Sequence, residues 1–242
     1  MKLRLAARRR AWRKRRRAFG RRVRRIVVRT LLIAVLVPAL WVAAYRFIDP
    51  PVTYLIAAEW VRLGDVEREW RDLDEMSPHL PRAAMGGEDA RFCAHYGFDF
   101  EEIAKALAED DRRRGASTIT QQVAKNVFLW PDASWLRKGL EAGFTVLIEL
   151  FWPKRRTMEV YLNVAEMGEG VFGAEAAARR YFGRSADELT LVQSARIAAA
   201  LPNPKARDPS RPSNFLIRRG RSIADGAETL RANGGADCLH PP

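Results

Sequence analysis

The stretch GEDARFCAHYG, Gly87 to Gly97, sets two adjacent carboxylates, Glu88 and Asp89, in an apolar frame. Ala83, Ala84 and Met85 precede them, Phe98 and Phe100 follow, and Arg91 and His95 stand close behind. Burying an unpaired charge costs on the order of several kcal/mol, so such a pair needs a partner or a purpose. Burial disfavours the ionised carboxylate and raises its pKa, which turns a glutamate into a competent general base. A second run, GASTITQQVAKN (Gly115 to Asn126), concentrates uncharged donors and acceptors at Ser117, Thr118, Thr120, Gln121, Gln122 and Asn126, with one cation, Lys125. Such groups suit the hydroxyls and amides of an N-acetylated sugar. Thr118 followed by Gln121 also reads as a capping box, so a well-capped helix with a polar face is the plainer alternative. The third cluster is RKGLE, where Arg137 and Lys138 lie four and three residues before Glu141 and share adjoining helix faces with it. An exposed ion pair there would be worth little. On so apolar a segment, a paired cluster at the edge of a substrate site competes with that reading, because its cations would stabilise charge on a departing diphosphate. Together the three runs are parts for glycosyl transfer from a phosphorylated donor.

The elements that must hold these residues read as helices. Leu136 to Phe151 is the clearest, with Leu140, Phe144, Leu147, Ile148 and Phe151 recurring every three or four residues as a core-facing stripe. Val52–Trp70, Phe100–Asp111, Arg156–Val164, Ala174–Tyr181 and Leu191–Leu201 continue the pattern, and alternating strand-like runs are scarce. The expected fold class is mainly α.

Charge is divided unevenly along the 242 residues. Residues 1–29 contain 15 Lys and Arg and no acid, and taking these from the chain's 42 leaves 27 bases against 29 acids. The net charge of +13 therefore belongs to the N-terminal tail rather than to the domain. Ile26 to Phe47 follows, an apolar run with charges only at Arg29 and Arg46 near its ends, long enough for a bilayer core. The expected division is a basic cytoplasmic tail over 1–25, a transmembrane anchor over 26–48, a juxtamembrane linker and helix over 49–75, a catalytic domain over 76–225 and a disordered tail over 226–242. The excess of arginine before the span predicts that the catalytic domain lies outside the cytoplasm. Val42-Ala43-Ala44 keeps a cleavable signal peptide open as the competing reading, and nucleic-acid binding by the Arg-rich segment is a further alternative. Cys93 and Cys238 are able to pair in an oxidising compartment, a pairing that spacing cannot decide. No metal-ligand spacing and no internal repeat is evident.

The motifs resemble those of the peptidoglycan glycosyltransferase family, the transglycosylase module of class A penicillin-binding proteins and its single-domain, membrane-anchored relatives (glycosyltransferase family 51). EDARFCAHYGFD resembles the first family motif, GASTITQQVAKN the second, RKGLE the third, and RRTMEVYLNVAEMGEGVFGAEAAARRYFG, Arg155 to Gly183, the fourth. LTLVQSARIAAALPNP, Leu189 to Pro204, resembles the segment that closes the domain. The resemblance implies a lysozyme-like, mainly α glycosyltransferase domain behind one N-terminal transmembrane helix, polymerising lipid II. By analogy Glu88 is the base and Glu141 the second glutamate, which positions the donor diphosphate, with Glu141 also the candidate ligand of a divalent cation (Mg or Mn). Ser117, Thr118, Gln121, Gln122, Lys125, Asn126, Arg137 and Lys138 match substrate-binding positions. Asp89, Phe92 and His95 are read as orienting or structural, Glu159 as a helix-face residue with a satisfied partner, and Cys93 as a small packed side chain. Expected partners are lipid II, the growing lipid-linked glycan, the inner membrane and other cell-wall synthesis or division proteins, but no nucleic acid.

One position departs from the family. Members often carry Arg before the Ser-aromatic pair after the second motif, where this chain has Ala133, so another cation would have to meet the diphosphate. No Ser-x-x-Lys or Lys-Thr-Gly occurs, which predicts a chain that makes glycan strands without cross-linking them. A lysozyme-like lytic hydrolase would share the fold and a catalytic Glu without explaining the cations from Lys125 to Lys138. A non-catalytic cell-wall scaffold would not explain an intact Glu88 and Glu141.

Overall fold

The computed structural model describes residues 2–108 and 117–240. The end of the expected Phe100–Asp111 helix and the first two residues of the second motif lie outside the described residues. The chain divides into an N-terminal unit ending at Ala44 and a second unit from Tyr45 onward. The first is one helix, α1 (Lys2–Tyr45), which contains Pro38. Its stretch Phe19–Tyr45 has a mean hydropathy of 2.4 over its most apolar window and is long and apolar enough to cross a membrane. Helix thus begins well before residue 26 and runs unbroken through the basic segment.

Among the described residues the second unit is mainly helical, as expected. In chain order it contains α2 (Tyr54–Leu63), β1 (Glu67–Arg68), α3 (His79–Glu88), α4 (Phe100–Ala108), α5 (Ile119–Phe128), α6 (Trp135–Phe151), α7 (Lys154–Val164), β2 (Glu166–Gly168), β3 (Val171–Phe172), α8 (Ala174–Phe182), α9 (Leu191–Ala200) and α10 (Asn214–Ala232). The strands form one small sheet in the order β1-β3-β2, with Glu67 opposite Val171 in parallel and Glu166 opposite Phe172 in antiparallel register. The expected helix Val52–Trp70 is shorter than its pattern. Thr53 caps its start, and Gly64, at φ 86°, donates to the Trp60 carbonyl and ends it.

The core that carries Glu88 is a packing of α3 against α9 and α10. Ala83, Ala195, Ala198, Ala199, Leu216 and Ile223 form its buried cluster. Small side chains let the backbones close in. A Cβ on Gly86 would stand 3.2 Å from the Ile223 carbonyl oxygen, and Gly226 of α10 faces the Gly86 Cα. Beside this core, α5 packs on α6 and α7, with the Phe128 and Phe144 rings stacked 4.8 Å apart at 7°.

Two expectations are corrected. The chain from 226 is not a disordered tail, because α10 continues to Ala232 and a short 3-10 turn, Asp237–Leu239, follows. Arg155 donates to the Leu239 carbonyl at 3.1 Å. Cys93 is not merely a packed side chain. It forms a disulfide with Cys238 across 145 residues of sequence, and so ties that turn to the loop after Glu88. The expected stripe on α6 is largely in place, with Phe144 and Ile148 buried and Leu147 and Phe151 half-buried, and only Leu140 exposed. Arg137, Glu141, Phe144, Thr145 and Ile148 point inward, while Leu136, Leu140 and Leu150 are exposed.

A cross-link closing so long a loop chiefly restricts the unfolded chain and is worth about 2–4 kcal/mol. Denaturant unfolding of the Cys93→Ser, Cys238→Ser double variant should show a loss of that size against wild type. An unchanged midpoint would mean that α10 and the turn are held without the bridge.

Candidate active site

Glu88 is the last residue of α3, where the apolar packing of that helix ends. Its side chain is 13% exposed. Gln122 of α5 donates from Nε2 to Glu88 Oε2 at 3.0 Å, and Gln122 Oε1 accepts in turn from the hydroxyl of the fully buried Tyr161 at 3.3 Å. Glu88 Oε1 is buried without a hydrogen-bond partner. One oxygen is thus held and the other is free to act. Burial raises the Glu88 pKa, against the opposing pull of the Gln122 hydrogen bond and of Arg219, Arg207 and Lys125. The same burial, with the negative charges of Glu88 and Asp89, keeps the Tyr161 phenol protonated far into the alkaline range.

Asp89 turns the other way and belongs to the scaffold. Its carboxylate accepts from the Ile119 backbone N–H at 3.0 Å, at the start of α5, and lies 2.9 Å from His95 Nε2. The Phe92 ring is fully buried, meets the His95 ring edge-on and lies under the Lys154 ammonium at 4.5 Å. Lys154 in turn pairs with Glu149, which accepts from Thr120 at 2.6 Å. Gly97, at φ 77°, passes so close to Thr145 that a Cβ would collide with it, and its carbonyl accepts from Thr118 at 2.6 Å. Asp89, Phe92 and His95 are thus bonded or packed into the scaffold beside Glu88. Asp89, His95 and Asp99 also come within reach of a common ion, a grouping that spacing did not announce. Asp99 is already engaged by the Glu101 and Glu102 backbone N–H groups, as Asp89 is by Ile119 and His95.

The second motif is a helix start and a site wall together. Thr118 and Gln121 form the capping box, so their polar atoms serve the helix rather than a ligand. Ser117 is exposed beside them and Asn126 is partly so. Lys125 is exposed and makes no hydrogen bond or ion pair among the described residues. Neighbouring groups nevertheless crowd its ammonium. Desolvation lowers its pKa, Glu141 and Glu88 oppose the shift, and Arg137 and Lys138 add to it. Glu141 itself is 3% exposed, with Oε2 accepting from Arg137 at 2.5 Å and Oε1 from Lys138. Arg137 also donates to the Asp132 carbonyl. The one carboxylate of this cluster is thus saturated by two cations with a third nearby, a donor set that does not fit a divalent metal. Glu159 has the satisfied partners expected of it, Arg156 and the Leu73 backbone N–H at 3.1 Å. Arg207 and Arg219, which bear on Glu88, lie outside every motif, and no local pattern marks them.

A desolvated carboxylate with Arg219, Arg207 and Lys125 bearing on it is chemically suited to act as a base beside developing negative charge. The chain belongs to the transglycosylase family, whose model matches residues 57–228. It is 52% identical over 199 residues to the biosynthetic peptidoglycan transglycosylase of Jannaschia sp. (strain CCS1), covering 82% of this chain and 83% of that protein. It is 50% identical over 227 residues to that of Caulobacter vibrioides, covering 91% and 99%, and 46% identical over 210 residues to that of Bdellovibrio bacteriovorus, covering 83% and 84%.

The raised pKa of Glu88 carries a stability cost with a definite sign. Between the unfolded and the folded pKa the native state holds a proton that the unfolded state has lost, so stability falls as pH rises through that window. Glu88→Gln removes the titration. Its melting temperature relative to wild type should increase from acid to neutral pH, whereas a constant difference would mean that Glu88 is not desolvated.

Proposed function

We propose that this protein is a membrane-anchored peptidoglycan glycosyltransferase that polymerises lipid II into β-1,4-linked glycan strands for the cell wall. The observation that carries the reading is Glu88, largely buried, hydrogen-bonded at one oxygen by Gln122 and unbonded at the other, within electrostatic reach of the unpaired Lys125. Glu88 takes the proton from the 4-hydroxyl of the acceptor's N-acetylglucosamine. The oxygen's electron pair attacks the anomeric carbon of the growing chain's terminal N-acetylmuramic acid. The bond from that carbon to undecaprenyl diphosphate breaks, and the diphosphate leaves with its electron pair. Attack from the face opposite the leaving group inverts the centre from α to β.

Lys125, with Arg137 and Lys138 behind it, neutralises the departing diphosphate. Glu141 holds the latter two cations in place, which replaces the metal role expected of it and supplies the charge that Ala133 does not. Ser117 and Asn126 are the polar groups left to meet the sugars, since Thr118 and Gln121 are engaged in the cap and Gln122 on Glu88. The exposed Trp135, Leu136, Leu140 and Leu150 of α6 suit a substrate with a polyprenyl tail at a membrane surface.

The anchor is the apolar stretch of α1, in the inner membrane, with the basic tail cytoplasmic and the domain on the far side. The Cys93–Cys238 disulfide supports that orientation, because such bonds persist in oxidising compartments. Protease added outside spheroplasts should digest the domain and spare the basic tail; digestion of the tail alone would reverse the topology.

Incubation of the purified full chain with lipid II, followed by sizing of the product, tests the chemistry. Glu88→Gln should lower polymerisation by about 10²–10⁴, while binding of moenomycin, the glycolipid inhibitor that occupies the donor site in this family, largely survives. Lys125→Ala should lose both. Glu88→Gln within a few-fold of wild type would overturn the base assignment.

A further inference from the structure

Arg219 lies on the face of α10 that packs against α3, one turn before Ile223 and two before Gly226. Its Nη2 donates to the Gly87 carbonyl at 3.2 Å and stands 4.0 Å from Glu88 Oε1. Gly87 is in the last turn of α3, where carbonyls lack intrahelical partners and carry the negative end of the helix dipole. A guanidinium there is favoured twice, by the carbonyl and by the carboxylate beyond it. Arg219 Nε and Glu88 Oε1 are both buried and without hydrogen-bond partners, so neither is committed elsewhere.

The other groups that face Glu88 are committed differently. From α5, Gln122 is bonded to the opposite oxygen and Lys125 is the cation open to the donor. From α7, Tyr161 reaches Gln122 rather than Glu88. From the segment between α9 and α10, Arg207 donates to the Ala199 carbonyl at 3.1 Å and lies over the Phe215 ring at 5.0 Å. Asp89, next in the chain, turns to Ile119 and His95. Arg219 alone among these bonds the backbone that presents Glu88 and also lies within ion-pair distance of its unbonded oxygen.

We propose that Arg219 is a positioning residue for glycosyl transfer, fixing the Gly87–Glu88 peptide and holding Glu88 Oε1 ionised and aimed at the acceptor hydroxyl. This rests on the reading of Glu88 as the base. Gln122 holds the carboxylate by a hydrogen bond on one side, and Arg219 Nη2 lies 4.0 Å from the oxygen on the other, close enough to bias its orientation by charge. Charge matters as much as geometry. Burial opposes ionisation of Glu88 and Arg219 is the first of the cations that counter it. The donor diphosphate, on binding, would draw on Lys125 and leave Arg219 as the counter-charge for the base.

The test is the pH profile of kcat/KM for lipid II polymerisation by the full chain in detergent. Activity should rise with pH as Glu88 ionises. Arg219→Gln removes a cation from beside the carboxylate and should move that acid limb up by about one unit, with a lower plateau. Arg219→Lys restores the charge without the fork geometry, so the limb should return toward wild type while the plateau stays low. In a Glu88→Gln background, Arg219→Gln should add no further loss. An acid limb that stays in place in both variants, or an independent loss in the Glu88→Gln background, would make Arg219 a packing residue and overturn the proposal. Should Arg219→Gln fail to fold by melting temperature, the Arg219→Lys comparison of limb and plateau decides alone. A fully active Glu88→Gln single variant would instead remove the base assignment, an outcome read separately from the Arg219 profiles.

Discussion

Keeping a carboxylate out of water while leaving one of its oxygens unbonded demands rigid support on every other side, and the helices around Glu88 are arranged to give it. α3 delivers the residue at its last position, where the side chain leaves the packed face of the helix. α9 and α10 press on α3 through alanines and the Gly86–Gly226 approach, so the peptide before Glu88 has little freedom to move. α5 contributes Gln122 from the side and accepts Asp89 at its N-terminus, where partial positive charge favours a carboxylate. The two neighbouring acids thereby serve opposite ends. Asp89 is fully bonded into the scaffold, while Glu88 is desolvated and half-bonded. Their environments, not their chemistry, divide the roles.

The same logic applies to α6, where Phe144 and Ile148 point inward as their spacing predicts but share that face with a buried ion pair. The helix buries Arg137 and Glu141 and exposes Leu136, Leu140 and Leu150. In water that is the wrong way round, since a buried ion pair seldom repays its desolvation. Under the proposed function the inner pair holds cations for an anionic leaving group, and the outer leucines suit a lipid-linked substrate. Periodicity alone locates the helix and its inward Phe144 and Ile148 correctly, and errs at Leu140, which is exposed.

Much of the fold and site was legible for local reasons. The α5 start announced itself by Thr118 and Gln121, and the α6, α7, α8 and α9 patterns carried their own periodicity. What was not legible depended on distant contacts. α3 contains Pro81, Gly86 and Gly87, all poor helix formers, and forms because tertiary packing overrides propensity. α10 carries Gly220 and Gly226 in its interior, which hid a 19-residue helix and with it Arg219. Those glycines are there for the close approach to α9 and α3, a reason visible only from the other side of the contact. The Cys93–Cys238 pairing was undecidable from two cysteines 145 residues apart.

These distant contacts converge on one loop. The segment from Asp89 to Gly97 is held by α5 through Ile119 and Thr118, by α7 through Lys154 over Phe92, and by the C-terminal turn through Cys238. The chain must therefore supply residues from 88 to 238 before the base is fully framed. Non-local closure of this kind is entropically slow to form, and it has a compensating property. A covalent bond that forms in an oxidising compartment secures the C-terminal turn against the catalytic loop.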